Sequence, residues 1–232
     1  GEDNWFMLPL LWSILPVFTL FKFTRVPLIE PHGEGGPTPA KKLLASKIFL
    51  TALLLMVCSG AAEQSMAQWA SLFAEKGLGI SKTLGDLFGP CLFAIMMGSA
   101  RTFYGIKGQK INMLNTLAAC SFLCILSYAL AALAPSPVIS LMGCALCGLS
   151  VSLMWPGMLS ITAAGYPGGG TAMFAMLAIG GDLGCSAGPW ISGVIADSFS
   201  LNIGLLTGMV FPAIMVIGLF ALKTMLKNQT NA

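Results

Sequence analysis

Charge is scarce in this chain. Acidic and basic residues together supply 9% of its 232 residues, against about 25% in a soluble domain of ordinary composition. There is one histidine, His32, and it lies outside every apolar run. No HExxH or paired-aspartate motif occurs and no histidine lies in any apolar run, so the metal-binding and acid–base residues that intramembrane hydrolysis would need are missing and no enzyme is expected. The seven cysteines (Cys58, Cys91, Cys120, Cys124, Cys144, Cys147 and Cys185) all sit inside apolar runs and make no disulfide framework. Cys120/Cys124 and Cys144/Cys147 share helix faces, but no histidine or carboxylate clusters with them. They read as small packing residues, and neither a metal nor a cofactor is expected. The net charge of +3 is spread over short loops and leaves no footprint for nucleic acid. The first apolar run follows Glu2 and Asp3 in place of a basic segment, so no cleavable signal peptide is expected. The chain opens at Gly1 without Met and is expected to be a fragment of a longer protein.

What is abundant is apolar surface, at 56% of residues. Runs long enough to cross a hydrocarbon core of about 30 Å recur along almost the whole chain, which identifies an all-α polytopic membrane protein. Spans are predicted at 5–22, 47–72, 83–103, 112–133, 137–161, 171–195 and 202–222. The first carries Pro9 and Pro16, which membrane helices tolerate where neighbours or water take up the freed carbonyls. Residues 23–46 carry Pro27, Pro31, Pro37 and Pro39, three glycines and charges of both signs, and read as a hydrated linker holding His32. The predicted organisation is therefore a helix at 1–22, a linker at 23–46 and a six-helix domain at 47–232.

Basic residues orient the chain. With the linker cytoplasmic, Lys22, Arg25, Lys41, Lys42, Lys47, Arg101, Lys107, Lys110, Lys223 and Lys227 fall inside, and only Lys76 and Lys82 fall outside. The positive-inside rule then puts the N-terminus outside and the C-terminus in the cytoplasm, in a cell (inner) membrane crossed many times. Trp5, Trp69 and Trp190 come to the outer interface as a belt.

The polar residues stranded at membrane depth are the candidate site. In the second span, Gly60, Gln64 and Gln68 recur every four residues as one stripe, and Ser59 with Glu63 forms the next stripe, about 100° around. A carboxylate and two amides on one arc must face protein or water, because lipid cannot solvate them. Glu63, Gln64 and Gln68 are read as lining a solute pathway; an outer-interface carboxylate and helix–helix amide bonding are the competing readings. Asp182 falls about 17 Å into the sixth span, near the midplane, with no intramembrane Lys or Arg expected beside it. A proton-coupled site and a structural role at a helix crossing both suit it. Trp155, beside Pro156 and Gly157, suits either stacking on a sugar ring or an interfacial belt. Gly180, Gly184 and Gly188 repeat every four residues before Pro189, a small stripe for close helix contact with an interruption expected at the proline. Gly98, Arg101, Gly105 and Gly108 are read as a tight basic loop after the third span.

A long central loop, six helices, a basic glycine turn between the second and third of them and a GxxxGP-type fifth helix together resemble the C-terminal half of a major facilitator superfamily transporter. The resemblance covers the whole chain, with the first span as the family's sixth helix and the others as its seventh to twelfth. Gly98 and Gly105 stand at the spacing of the family's loop signature, Gly-x-x-x-Asp-Arg-x-Gly-Arg-Lys/Arg. Thr102 and Phe103 replace its Asp and first basic residue, and Arg101 is left to take over part of the role. Gly184-x-x-x-Gly188-Pro189 resembles the family's fifth-helix motif, and these residues are expected to serve packing and gating. The run from Ala62 to Trp69 is similar to the seventh helix of sugar- and fucose-permease-like members.

The resemblance implies two six-helix halves rocking about a central site, with the first five helices missing from this chain. The expected function is secondary transport of a small polar solute, sugars included, with H+ or Na+ as coupling ion. The expected partners are the solute, the ion, the bilayer and the missing half. An efflux antiporter for drugs or metabolites is the sibling alternative, and a seven-helix receptor the alternative of another class. Against the receptor stand the lack of a mid-depth Lys, the lack of an outer disulfide, and a long loop after span one.

Overall fold

The computed structural model describes residues 6–27, 38–108 and 111–230, with backbone alone at 229 and 230. Trp5, His32, Lys110 and the middle of the linker lie outside the described residues. The described chain is helical, without strands, and divides into two units, Gly1–Gly33 and Glu34–Ala232.

The first unit contains α1, Met7–Phe23, which buries none of its side chains. Its hydroxyls do not seek outside partners: Ser13 and Thr19 donate back to the carbonyls of Leu10 (2.7 Å) and Leu15 (2.9 Å). An apolar helix can carry such residues in lipid because their one polar bond closes within the helix.

The second unit begins with a helical turn, α2 (Ala40–Leu44), whose Leu43 is fully buried. The C-terminal end of the expected linker is thus packed, because Leu43 and Leu44 give it an apolar side to bury. Six helices follow that are long and apolar enough to cross a bilayer. They are α3 (Lys47–Leu72, extended by a π-helical turn to Gly77); α4 (Lys82–Asp86), a π turn and α5 (Leu92–Lys107) as one span; and α6 (Met113–Leu133). Then come α7 (Pro137–Val151) with α8 (Met154–Gly165), α9 (Gly170–Ser198), and α10 (Leu201–Thr207) with α11 (Val210–Thr230). Their starts are marked by capping chemistry: Ser46 accepts from the Phe49 N–H, Asn112 from that of Asn115 and Ser200 from that of Ile203, while Pro137 opens α7.

Two spans are central. In Lys47–Gly77 and Pro137–Gly165, 56% and 67% of the most apolar window is buried in this bundle, whereas Lys82–Lys107 reaches only 17%. The most extensive pairing is α3 with α9. At Gly184 a Cβ would overlap the Val57 carbonyl, and at Gly188 it would come within 2.7 Å of Ala61 Cα and Ser65 Oγ. Only hydrogen fits there, so the two backbones touch. Polar ties stitch the other helices on: Tyr128 Oη donates to the Ala62 carbonyl (2.7 Å), Asn202 Nδ2 to that of Ala132 (2.8 Å), and Ser46 bonds the Tyr166 hydroxyl.

Two sequence expectations need correcting. The loop expected at Gly98–Lys110 is helix as far as Lys107. An isolated glycine costs a helix only about 1 kcal/mol, and Thr102 satisfies its own hydroxyl on the Gly98 carbonyl (2.9 Å). A Cβ at Gly98 or Gly105 would meet nothing within 4 Å, so neither glycine packs closely within this bundle. Pro189 does not interrupt α9, which runs through to Ser198. The ring lies buried in the helix seam, and the Trp69 indole donates to the Pro189 carbonyl (3.0 Å). The fifth predicted span is present within Pro137–Gly165, with a turn at Ser152 and Leu153 between α7 and α8.

Gly184→Ala should therefore force the α3–α9 seam apart at a cost of about 1–3 kcal/mol, the usual range for overpacking. The check is the thermal midpoint of the protein in detergent. A midpoint equal to wild type would show that the backbones are not in contact.

Candidate solute pathway

The break in the fifth span has a cause in the sequence. In a helix the N–H four residues on would bond the Ser152 carbonyl, but that residue is Pro156, which has no N–H. The orphaned carbonyl is taken by another helix: Arg101 Nε donates to it at 2.9 Å. From that anchor the guanidinium turns to α3, where Nη2 lies 3.5 Å from Glu63 Oε2. One arginine thus ties α5, the α7/α8 break and α3 together.

Arg101 was expected in a loop at the membrane face, and Asp182 was expected to have no basic residue at depth in its neighbourhood. Because α5 continues to Lys107, Arg101 sits about 9 Å inside the end of its helix. Glu63 is about 24 Å along α3 from Lys47. The arginine side chain nevertheless reaches Glu63, at the 3.5 Å contact. Its partner among the described residues is Glu63, not Asp182. The exposure of the two is unequal, 44% for the Arg101 side chain and 17% for that of Glu63.

The neighbouring helix α9 brings Asp182 to the same region. Its carboxylate is exposed and has no hydrogen bond or ion pair among the described residues; its carbonyl accepts from Ser186 Oγ at 3.0 Å. Cys185, one turn on, is near enough to both Glu63 and Asp182 to interact electrostatically with them. Its sulfur would lie 3.0 Å from a Cβ at Gly60. Trp155, half-buried at the start of α8, lays the edge of its ring on the Gly181 backbone, beside Asp182. So Glu63, Arg101, Trp155 and Asp182 come from four different spans to one side of the α3–α9 seam.

The amide stripe behaves differently along its length. Gly60 is buried in the seam, Gln64 is half-buried, and Gln68 is exposed. Gln68 Nε2 donates to Gln64 Oε1 at 3.2 Å, so the two amides partly satisfy each other. Gln68 lines an open cleft of about 530 Å³ with Trp69, Cys185, Ser186, Pro189 and Trp190. Glu63, Gln64, Trp155 and Asp182 are not among its lining residues. Ser59, from the second stripe, is fully buried, and its hydroxyl has no partner among the described residues. Sequence reasoning missed Ser152 and Cys185. The signal for Ser152 was Pro156, four residues later; Cys185 had none beyond its place between Asp182 and Gly188.

The family model of the Major Facilitator Superfamily matches residues 5–189. This chain belongs to that superfamily. No curated protein and no solved structure matches it. The match reaches from α1 to Pro189, where the resemblance argued from sequence motifs had taken in the whole chain. It identifies a membrane transporter of the superfamily, a family of carriers and not of enzymes, whose members handle small molecules in a lipid bilayer. The receptor alternative is thereby set aside.

In this transporter chain, the Glu63–Arg101 pair is a bond between helices and its loss should be felt in stability. Glu63→Gln and Arg101→Gln, alone and together, form a double-mutant cycle. A coupling of about 1 kcal/mol is expected for a half-exposed pair. Arg101→Gln should be the costlier single change, since it also strips the Ser152 carbonyl. Strict additivity of the two would mean that the pair contributes nothing.

Proposed function

We propose that the protein is a secondary transporter that carries a small polar solute across the cell membrane by alternating access, and that this chain supplies its C-terminal half. The single observation that supports the reading most is the pairing of Glu63 with Arg101 inside membrane-spanning helices, with Asp182 on the adjoining helix beyond Cys185. Ionisable groups inside a membrane bundle are expensive, and they persist where an aqueous path or a substrate needs them.

In this reading α3, α5, α8 and α9 present their polar side to a space shared with a partner bundle of six helices. Gln64 and Gln68 bond solute hydroxyls, Glu63 lines the path beside them, Trp155 stacks on an apolar ring face, and Asp182 holds a coupling proton or ion. The N-terminus lies outside and the C-terminus in the cytoplasm, so that most basic residues stay inside. The poorly buried Lys82–Lys107 span, with Gly98 and Gly105 open on one side, suits close approach by the other half. Sugars are the solute class suggested by the run from Ala62 to Trp69, and symport is the mode it suggests. Efflux of lipophilic compounds would call for a wide apolar cavity, and the cleft at Gln68 also carries Ser186 and two indoles.

Cysteines placed singly at Gln64, Gln68 and Asp182, in a background with the native cysteines removed, should react with a membrane-impermeant thiol reagent. Cysteines at Leu54 and Ile217, which are exposed on apolar helix sides, should not. Complete protection of all three pathway positions would sink the transport path proposed here.

A further inference from the structure

We infer that Arg101 is the group that binds the solute, that the solute therefore carries a negative charge (a carboxylate or a phosphate), and that Glu63 occupies Arg101 in its absence as an internal substitute. This rests on the transporter reading above and makes its solute class definite.

The geometry of the guanidinium is the starting point. Nε is fixed on the Ser152 carbonyl at 2.9 Å, and that carbonyl is available only because Pro156 cannot bond it. A planar guanidinium pinned at one nitrogen has its plane and its open edge set in advance, which is what forked recognition of a carboxylate or phosphate uses. The present partner does not fill that edge. Glu63 reaches only Nη2, with one oxygen, at 3.5 Å. A well-made charge-assisted bond is about 2.7–2.9 Å and often two-pronged. The remaining Nη donors have no acceptor among the described residues. The pair is the more open on the arginine's part: its side chain is 44% exposed, that of Glu63 17%.

A cation with free donors at membrane depth is costly unless an acceptor comes to it. Water meets that need weakly, and an anionic group entering from the open side meets it fully. The long single contact to Glu63 is what a displaceable partner looks like: it keeps Arg101 paired without competing strongly for it. The exposed carboxylate of Asp182 argues for a cationic solute instead. It lacks any second group fixed to receive an ammonium ion, whereas Arg101 is held by two. The anion reading is therefore the one the contacts favour.

Three polyols of one size and different charge separate the possibilities: gluconate, glucose and protonated glucosamine. Each is titrated against the purified whole protein, and the thermal stabilisation is converted to an affinity. Gluconate should bind tightest. Arg101→Gln should weaken gluconate by about tenfold or more and leave glucose and glucosamine little changed, with Arg101→Lys in between because it keeps charge but loses the fork. Glu63→Gln should strengthen gluconate binding, since it removes the competitor; a merely structural pair would not do this. Preference for glucose or glucosamine overturns the inference and leaves the polar-solute transporter standing. So does an equal loss of all three in Arg101→Gln and Arg101→Lys, or weaker gluconate binding in Glu63→Gln. Indifference to all three polyols in the wild-type protein counts against the polar-solute reading as well.

Discussion

Inside a bilayer a backbone carbonyl has no water to fall back on, and much of this bundle follows from that single restriction. Proline makes the restriction acute, because each one removes a donor from the helix that holds it. The carbonyl that Pro156 leaves without a donor, that of Ser152, is met from a neighbouring helix by Arg101, and the Trp69 indole makes a second bond between helices to the Pro189 carbonyl. Such bonds need helices close together, and the glycines of α3 and α9 bring the central pair into backbone contact. Packing and polarity are one problem in this protein. The seam decides where α9 lies, and that decides where Asp182, Cys185 and the Pro189 carbonyl lie relative to α3.

The same restriction sorts the polar side chains into two kinds. Many hydroxyls close on their own helix, as Ser121 and Thr162 do on the carbonyls of Leu117 and Met158 (both 2.8 Å). These are silent toward a solute and toward other helices. The side chains that reach across, among them Arg101, Glu63, Tyr128, Trp69, Asn202, Ser46 and Lys223, join elements far apart in the chain. Polarity in a membrane sequence is therefore a poor map of a pathway by itself; the reach of the side chain decides.

Much of the fold was legible because its signals are local. Long apolar runs give the spans, and the four-residue glycine repeat in α9 marks a close-packing face whatever the partner. Glu63 stood out for the same reason: a carboxylate among Cys58, Ala61, Ala62 and Met66 has nowhere ordinary to be. What could not be read was distance between helices. Arg101 looked like a loop residue because the tally of basic residues and the glycines around it both point to a membrane face; the helix overruns them, since two isolated glycines cost less than breaking a run of good hydrogen bonds. The stripe of Gly60, Gln64 and Gln68 was uniform on a helical wheel and is not uniform in space: Gly60 lies against the Gly181 backbone, whereas Gln68 stands in an open cleft.

The interruption between α7 and α8 divides a span of 29 residues into two rods that share no continuous hydrogen-bond ladder at Ser152 and Leu153. The carbonyl at this joint is held by a side chain anchored on α5 and paired with α3. Rocking of α5 therefore acts on the joint through a lever, and bending at the joint acts on the carboxylate of α3 through the same lever. A rod with its ladder intact at Ser152 would leave the arginine to link α5 and α3 alone; the jointed one adds the α7/α8 span to that link.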